Sequence, residues 1–292
     1  MTLRHMEIFL AVYEYGSMRK AAEALYISQP TISGAIKEIE DEYQIRLFER
    51  LNHRLYITSE GEELVSYTRH LLSLYREMDN KLKNHSAQTL LRIGATLTVG
   101  TCVLPQILGQ IEAEEPEVET TVLVENTRSI EERIAKGELD IGFVEGEIHH
   151  PDLVTLPIIQ DPMIAVRSNP ASHALTLSEF CAATPLLMRE PGSGTRALLT
   201  ERLHQESIAY QEKWVCSNTQ ALIHAAEAGL GGTIISRLLV QEAIAAKRLY
   251  EIPLSDCHFT RWFRLVWHKD KYQNHGFRTF CRYCKKLSEP SI

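Results

Sequence analysis

The 292-residue sequence contains no apolar run approaching the length of a membrane span. Its first residues, Met-Thr-Leu-Arg-His-Met-Glu, carry no signal-peptide pattern, so a cytoplasmic protein without a membrane partner is expected. No low-complexity tract interrupts a composition that is 44% hydrophobic and 24% charged. Cysteine is sparse and scattered: the six residues at 102, 181, 216, 257, 281 and 284 read as reduced thiols rather than a disulfide framework. Only Cys281-Arg-Tyr-Cys284 has metal-like or redox-like spacing. No second pair accompanies it, and in an amphipathic helix cysteine also serves as a small apolar residue. Twelve histidines show no metal pattern, and no nucleophile–base set assembles, so neither a reaction nor a cofactor is expected. Around Ser193, Pro191 and Thr195 stand where a Gly-x-Ser-x-Gly elbow needs glycine. Gly229-Leu-Gly-Gly lacks the third glycine and the acid of a dinucleotide fingerprint. Positive charge is also scarce. The net charge is −7, and residues 1–58 carry seven Lys/Arg against eight Asp/Glu. A nucleic-acid partner would therefore depend on charge placement, dimerisation and backbone hydrogen bonds.

What is present begins with Ser17–Glu40, which reads as two short capped helices. Ser17 caps the first, with Ala21, Ala22 and Leu25 as its apolar face; Tyr26-Ile27 breaks it. Ser28 caps the second, and Pro30 is tolerated in a first turn whose N–H groups lack intrahelical partners. Ile32, Ala35, Ile36 and Ile39 form its buried stripe. Gln29, Thr31, Ser33 and Lys37 fall on the outward side, small, hydrogen-bonding or cationic as a major-groove helix requires. An αα-hairpin inside any helical domain would carry the same caps. An opening helix (Leu3, Met6, Ile8, Phe9, Val12, Tyr13) precedes it. A hairpin follows, with tip Asn52-His53, Leu55 and Ile57 inward, and Arg54 set toward sugar-phosphate. Three helices plus a β-wing make a winged helix-turn-helix.

From Thr58 or Ser59 a long helix carries the seam Leu64, Thr68, Leu71, Tyr75, Met78, Leu82, suited to pairing with another chain or to packing on its own domain. It frays at Asn84–Gln88, read as a hinge. Beyond residue 89 strands alternate with helices, as in a parallel α/β sheet. Strands are expected at Leu91–Ala95, Glu119–Val124, Asp140–Val144, Ile164–Val166, Leu186–Met188, Thr233–Ile235 and Phe263–Trp267. Helices are expected at Val103–Glu114, Ile130–Lys136, Thr195–Gln205, Thr219–Ala228 and Phe277–Leu287.

Across nearly its whole length the chain resembles the LysR-type transcriptional regulators. The resemblance rests on Ala21-Ala-Glu-Ala-Leu25, Ile27-Ser-Gln-Pro-Thr-Ile-Ser33, Leu47-Phe-Glu-Arg50, Leu91-Arg-Ile-Gly-Ala95, Gly137-Glu-Leu-Asp-Ile-Gly142 and Arg189-Glu-Pro-Gly-Ser-Gly-Thr-Arg196. It implies a winged helix-turn-helix domain over 1–58 (helix-turn-helix about 18–37) and a linker and dimerisation helix over 59–88. An α/β, two-lobed, periplasmic-binding-protein-like effector domain would cover 89–292, lobe I about 89–161 and 267–292, lobe II about 162–266. It also implies double-stranded promoter DNA, the transcription machinery and a second copy of the chain as partners, in a dimer or a dimer of dimers, and a small effector between the lobes. Ser28, Gln29, Pro30, Thr31, Ser33, Lys37, Arg50 and Arg54 become the expected DNA contacts. Gly34 and Ala35 depart from the Arg or Gln that family members often place after the recognition-helix serine, and the wing is less basic than usual.

For the effector, Gly192 and Gly194 allow close backbone approach, while Ser193, Thr195 and Arg196 offer donors at a helix start, favouring an anion. Thr96, Thr98 and Thr127 match hydroxyl positions of the family; helix capping is the alternative for these threonines, and explains Thr101 equally well. Strand-to-helix loops converging from two lobes would bring these residues to one cleft. A small anionic effector is expected. The alternative reading, an anion-binding module without a DNA role, leaves the first 58 residues idle.

Overall fold

In the computed structural model residues 1–51, 54–83 and 89–288 are described, and they fall into two compact units, Met1–Ala87 and Gln88–Ile292. No helix among them is long and apolar enough to cross a membrane.

The first unit comprises α1 (Leu3–Tyr15), α2 (Met18–Leu25), α3 (Gln29–Tyr43), the antiparallel strands β1 (Phe48–Leu51) and β2 (Arg54–Ile57), and α4 (Ser59–Lys83). Local chemistry sets the breaks. Gly16 ends α1 in the left-handed region, at φ 59°. Ser17 caps α2, accepting from the Lys20 N–H, and Ser28 caps α3, accepting from the Thr31 N–H at 3.3 Å. Tyr26 ends α2 at φ 54°, a conformation costly for a side-chain-bearing residue. One core unites the helices: Ile8, Phe9, Val12, Ala21, Ala22, Ile32, Ile36, Ile39, Leu47 and Val65 are buried, with Leu55 and Ile57 packed against them. Each large member contributes about 1.5–3 kcal/mol of burial. Glu40, part of the acidic run at the end of α3, is buried rather than solvated. It accepts from the Leu47 N–H at 2.8 Å and fixes where the wing begins. The wing tip Asn52-His53, the side chains of Arg50 and Arg54, and the expected hinge Asn84–Gln88 lie outside the described residues.

α4 divides its apolar residues. Thr58 caps it, accepting from Gly61 N–H at 3.0 Å. Val65, Thr68 and Leu72 are buried, whereas Leu71, Leu74, Tyr75, Met78 and Leu82 are exposed. The seam therefore splits between packing on its own unit and an uncovered apolar edge.

The second unit runs β3 (Thr89–Ala95), α5 (Leu97–Cys102), α6 (Leu104–Glu114), β4 (Val118–Val124), α7 (Thr127–Ala135), β5 (Ile141–Glu145), β6 (Leu153–Arg167), α8 (Leu177–Ala183), β7 (Leu186–Arg189), α9 (Gly194–Gln205), β8 (Glu212–Cys216), α10 (Thr219–Glu227), β9 (Thr233–Ser236), α11 (Arg237–Ala245), β10 (Tyr250–Ile252), β11 (Phe259–His268) and α12 (His275–Lys286). The main sheet has the order β10-β6-β11-β5-β3-β4, with β9 also on β6. It is mixed, not parallel as expected. β3 pairs in parallel with β4 and β5, but β6 and β11 run antiparallel to their neighbours. The reason is that two long strands, β6 and β11, pass through both lobes side by side in opposite directions. Arg261 of β11 pairs opposite Asp161 of β6. β11 already pairs with β5 of lobe I from Phe263, so the return comes before the expected residue 267. α5, α8, α11, β8 and β10 add to the expected elements. Lobe I is built on Leu91, Ile93, Leu104, Ile107, Phe143, Phe263 and Phe280; lobe II on Met163, Phe180, Leu186, Met188 and Leu199, with β7 and β8 forming a parallel pair.

Candidate nucleic-acid interface and effector cleft

Helical periodicity decides the outward face of α3. Ile32, Ala35, Ile36 and Ile39 point into the core, which leaves Gln29, Pro30, Thr31 and Lys37 exposed and Ser33 half-buried. Ser28 is exposed too, its hydroxyl 2.8 Å from that of Thr31. Gln29, Ser33 and Lys37, spaced four apart, share one ridge of α3, and Thr31 is exposed in its first turn. Beside it Tyr26 stands 95% exposed, a residue the sequence reading used only as a helix break.

The second unit brings its expected residues together more tightly than the sequence reading foresaw. Thr96, Thr98, Thr127, Ser193 and Thr195 are all buried and gather about Glu145, at the end of β5. Glu145 N–H donates to Thr96 Oγ1 at 3.2 Å, and Thr127 Oγ1 donates to the Glu145 carbonyl at 2.6 Å. Thr96 precedes α5 but makes no capping bond, and the cap of α7 is Asn126, so neither threonine is held there as a cap. Gly194 lies so close to this strand end that a Cβ on it would sit 2.5 Å from the Glu145 carbonyl oxygen. Gly192 adopts φ 91°, and its carbonyl accepts from the Arg128 N–H at 3.3 Å. Asn126 Nδ2 reaches Glu190 Oε1 at 3.3 Å across the same gap.

The centre of the cluster is a residue the sequence reading missed. Arg261 is 3% exposed. Its Nε donates to Asp161 Oδ2 at 2.8 Å, Nη1 to Thr195 Oγ1 at 2.7 Å and Nη2 to Thr98 Oγ1 at 3.2 Å. Nη2 also lies 2.9 Å from Glu145 Oε2. Ser236 Oγ closes the set on Asp161 Oδ1 at 2.6 Å. A single guanidinium thus ties α5, β5 and β6 to α9, and its planar fork suits several oxygen partners at once. One signal was readable: β11 alternates buried and exposed residues, and Arg261 falls on the buried phase between Phe259 and Phe263. Arg196, offered as a source of charge for the site, turns elsewhere, to the Arg189 carbonyl at 2.9 Å and to Glu212 at 2.8 Å.

Residues 3–62 match the bacterial regulatory helix-turn-helix proteins of the lysR family, and residues 84–288 match the LysR substrate binding domain. The chain belongs to the LysR family of transcriptional regulators. Among its relatives is an uncharacterized HTH-type transcriptional regulator of Escherichia coli (strain K12), YeiE, 27% identical over 291 residues, which span 99% of each chain. Another is a Staphylococcus xylosus regulator encoded in the lacR 5' region, 32% identical over 258 residues, 88% of this chain and 91% of that one. Solved LysR-type structures share the fold. A full-length OxyR variant from Pseudomonas aeruginosa superposes with a TM-score of 0.71 at 20% identity, covering 98% of this chain and 95% of that one. CbnR, solved full-length with its target DNA, gives 0.64 at 18%, covering 98% and 100%. The regulatory domain of Synechocystis CcmR, solved with 2-PG, gives 0.64 at 20%, covering 70% and 99%.

As a LysR-type regulator the chain has a DNA-binding domain followed by an effector-binding domain. Two other features are structural. The Asp140 carboxylate, at the head of β5, is buried, which by itself would raise its pKa; the Arg92 hydrogen bonds and Lys271 overcome this and hold it below the usual carboxylate range. Cys281 and Cys284 line the packed side of α12. Burial pushes the Cys281 thiol up to about 11 and Cys284 well above its ordinary value, the opposite of a reactive thiol.

Proposed function

We propose that this LysR-type regulator reads promoter DNA through the outward side of α3 and answers to a small, acid-bearing effector held between the lobes of its second unit. In this reading Gln29, Thr31 and Ser33 meet base edges, and Ser28 and Pro30 set the helix entry. Lys37, Arg50 and Arg54 neutralise phosphates. A second copy covers the apolar edge of α4, Leu71, Leu74, Tyr75, Met78 and Leu82, which supports a dimer and, through it, a dimer of dimers. The chain acts by binding, not turnover, and passes its state to the transcription machinery. CbnR, which shares the fold, was solved on its target DNA, and CcmR with 2-PG.

The observation that carries the DNA reading is that α3 turns Ile32, Ala35, Ile36 and Ile39 inward while Gln29, Thr31 and Lys37 stand exposed and Ser33 half-buried. For the effector it is the convergence of five buried hydroxyl residues from both lobes. An effector can act only through different affinities for two states of the regulator. A ten-fold difference corresponds to about 1.4 kcal/mol of coupling. Gel-shift titration of a promoter fragment at low salt tests the first part. Gln29→Ala and Ser33→Ala should each weaken retention by about 1–3 kcal/mol without changing the helical content. Absence of retention by the unaltered chain, or full retention by both variants, would overturn it.

A further inference from the structure

Two side-chain oxygens in the cleft are buried and accept or donate no hydrogen bond among the described residues: Ser193 Oγ and Glu145 Oε2. Both residues are 2% exposed. The hydroxyls around them are engaged: Thr96 and Thr127 by the Glu145 backbone, Thr98 and Thr195 by Arg261. The two unmatched groups ask for opposite things. Ser193 precedes α9, a twelve-residue helix, without capping it through its side chain. The N–H groups of Gly194, Thr195 and Arg196 have no intrahelical acceptor, so together with the serine hydroxyl they present donors and the positive end of a helix dipole. Glu145 presents an acceptor. Its Oε2 is near Arg261 Nη2 but lies off the N–H axis, making an ionic contact without a hydrogen bond, and its Oε1 receives only a 3.5 Å bond from Thr195. The charge count agrees. Glu145 and Asp161 share one guanidinium, leaving an excess negative charge inside the fold. Burial, then the charges of Asp161 and Glu145, push the Cys102 thiol of α5 up. A plain anion would add to that excess.

We infer that the effector of this cleft is bifunctional, a small acid that also carries a hydroxyl or ammonium group, its acid oxygens meeting Ser193 and the start of α9 and its donor meeting Glu145. This rests on the cleft being the effector site. The acid end takes the donors that α9 leaves open, and the O–H or N–H satisfies the carboxylate oxygen the protein leaves unmatched. An ammonium would also offset the excess charge; a hydroxyl would only supply the hydrogen bond.

The test is calorimetric titration of the full chain with two matched series, acetate, glycolate and glycine, then propionate, lactate and alanine. A hydrogen bond to a charged group is worth enough that glycolate or glycine, and lactate or alanine, should bind about ten-fold or more tighter than acetate and propionate. Glu145→Gln keeps the side chain's size and removes its charge, and should bring each series to within about two-fold. Ser193→Ala should weaken every member alike. Preference for lactate over alanine, or the reverse, identifies the donor as hydroxyl or ammonium. Equal binding of substituted and plain acids by the unaltered chain, or a ratio that survives Glu145→Gln, overturns this inference while leaving the cleft as an acid site. Binding of no member, or indifference of all of them to Ser193→Ala, overturns the cleft reading and this inference with it.

Discussion

Replacing Arg261 by alanine removes the one cation that, among the described residues, pairs with two buried carboxylates, Glu145 at 2% and Asp161 at 0% exposure. Losing one partner of a buried ion pair costs about 3–5 kcal/mol, because the remaining charge is left without compensation. Here two charges are stranded, and Thr98 and Thr195 each lose a donor, which places the expected cost near the upper end, about 5 kcal/mol. Equilibrium urea unfolding measures it. All three tryptophans, Trp214, Trp262 and Trp267, belong to the second unit, so their fluorescence follows that unit alone. With an m-value of about 2–3 kcal/mol per molar urea, the midpoint should fall by about 2 M at unchanged slope. The triple variant Arg261→Met, Glu145→Gln, Asp161→Asn removes the charges together and should recover most of the loss, since neutral packing often matches a buried ion pair. A midpoint shift below about 0.4 M for Arg261→Ala, equivalent to about 1 kcal/mol, would refute the claim that this network is desolvated and interdependent.

Other perturbations separate local from tertiary causes. Tyr26→Gly relieves a left-handed backbone (φ 54°) and removes a ring that is 95% exposed. The gain in backbone comfort outweighs the extra unfolded-state entropy, so the first unit should gain about 0.5 kcal/mol by helix-monitored thermal unfolding; a loss above about 1 kcal/mol would contradict the assigned conformation. Asp140→Asn breaks the link from β5 to Arg92 and Lys271 and should cost about 2–4 kcal/mol at pH 7. Because the folded carboxyl titrates below its unfolded value, its contribution is complete above about pH 4 and fades as the pH drops through the folded pKa. The gap between unaltered chain and variant should therefore narrow only in acid, and a gap constant down to about pH 2 would argue against the ion pair. With a thiol near 11, Cys281 should react with iodoacetamide at about pH 8 roughly two orders of magnitude slower than a free cysteine, and Cys284 slower still, by peptide mass mapping. Rapid labelling of either in the folded chain would refute their packing role.

Short-range chemistry made the first unit legible. The serines before α2 and α3, the glycine after α1 and the 3.6-residue spacing of Ile32, Ile36 and Ile39 act within a few residues of one another. They therefore fix helix ends and faces wherever the chain goes. Glu40 shows the limit even there: only the approach of Leu47, seven residues on, reveals it as a backbone anchor. In the second unit the hydroxyl residues were legible as strand-to-helix loops, because each sits beside a periodic element.

What they converge on was not. β6 carries Pro157 and Pro162, which break the look of a strand, so only its last residues were expected. In the fold Pro157 faces a register shift opposite Arg264, and Pro162 stands one residue ahead of where β9 begins to pair. That uninterrupted passage makes the sheet mixed and sets Asp161 against Arg261. The Arg261–Thr98 contact joins residues 163 positions apart, and the Arg261–Asp161 contact residues 100 apart. The sequence alone settled helix ends, faces and family. Which buried charges meet, and which of their oxygens stay unmatched, was decided by strand register between distant segments, since ionic partners are chosen by distance in space and carry no local periodicity.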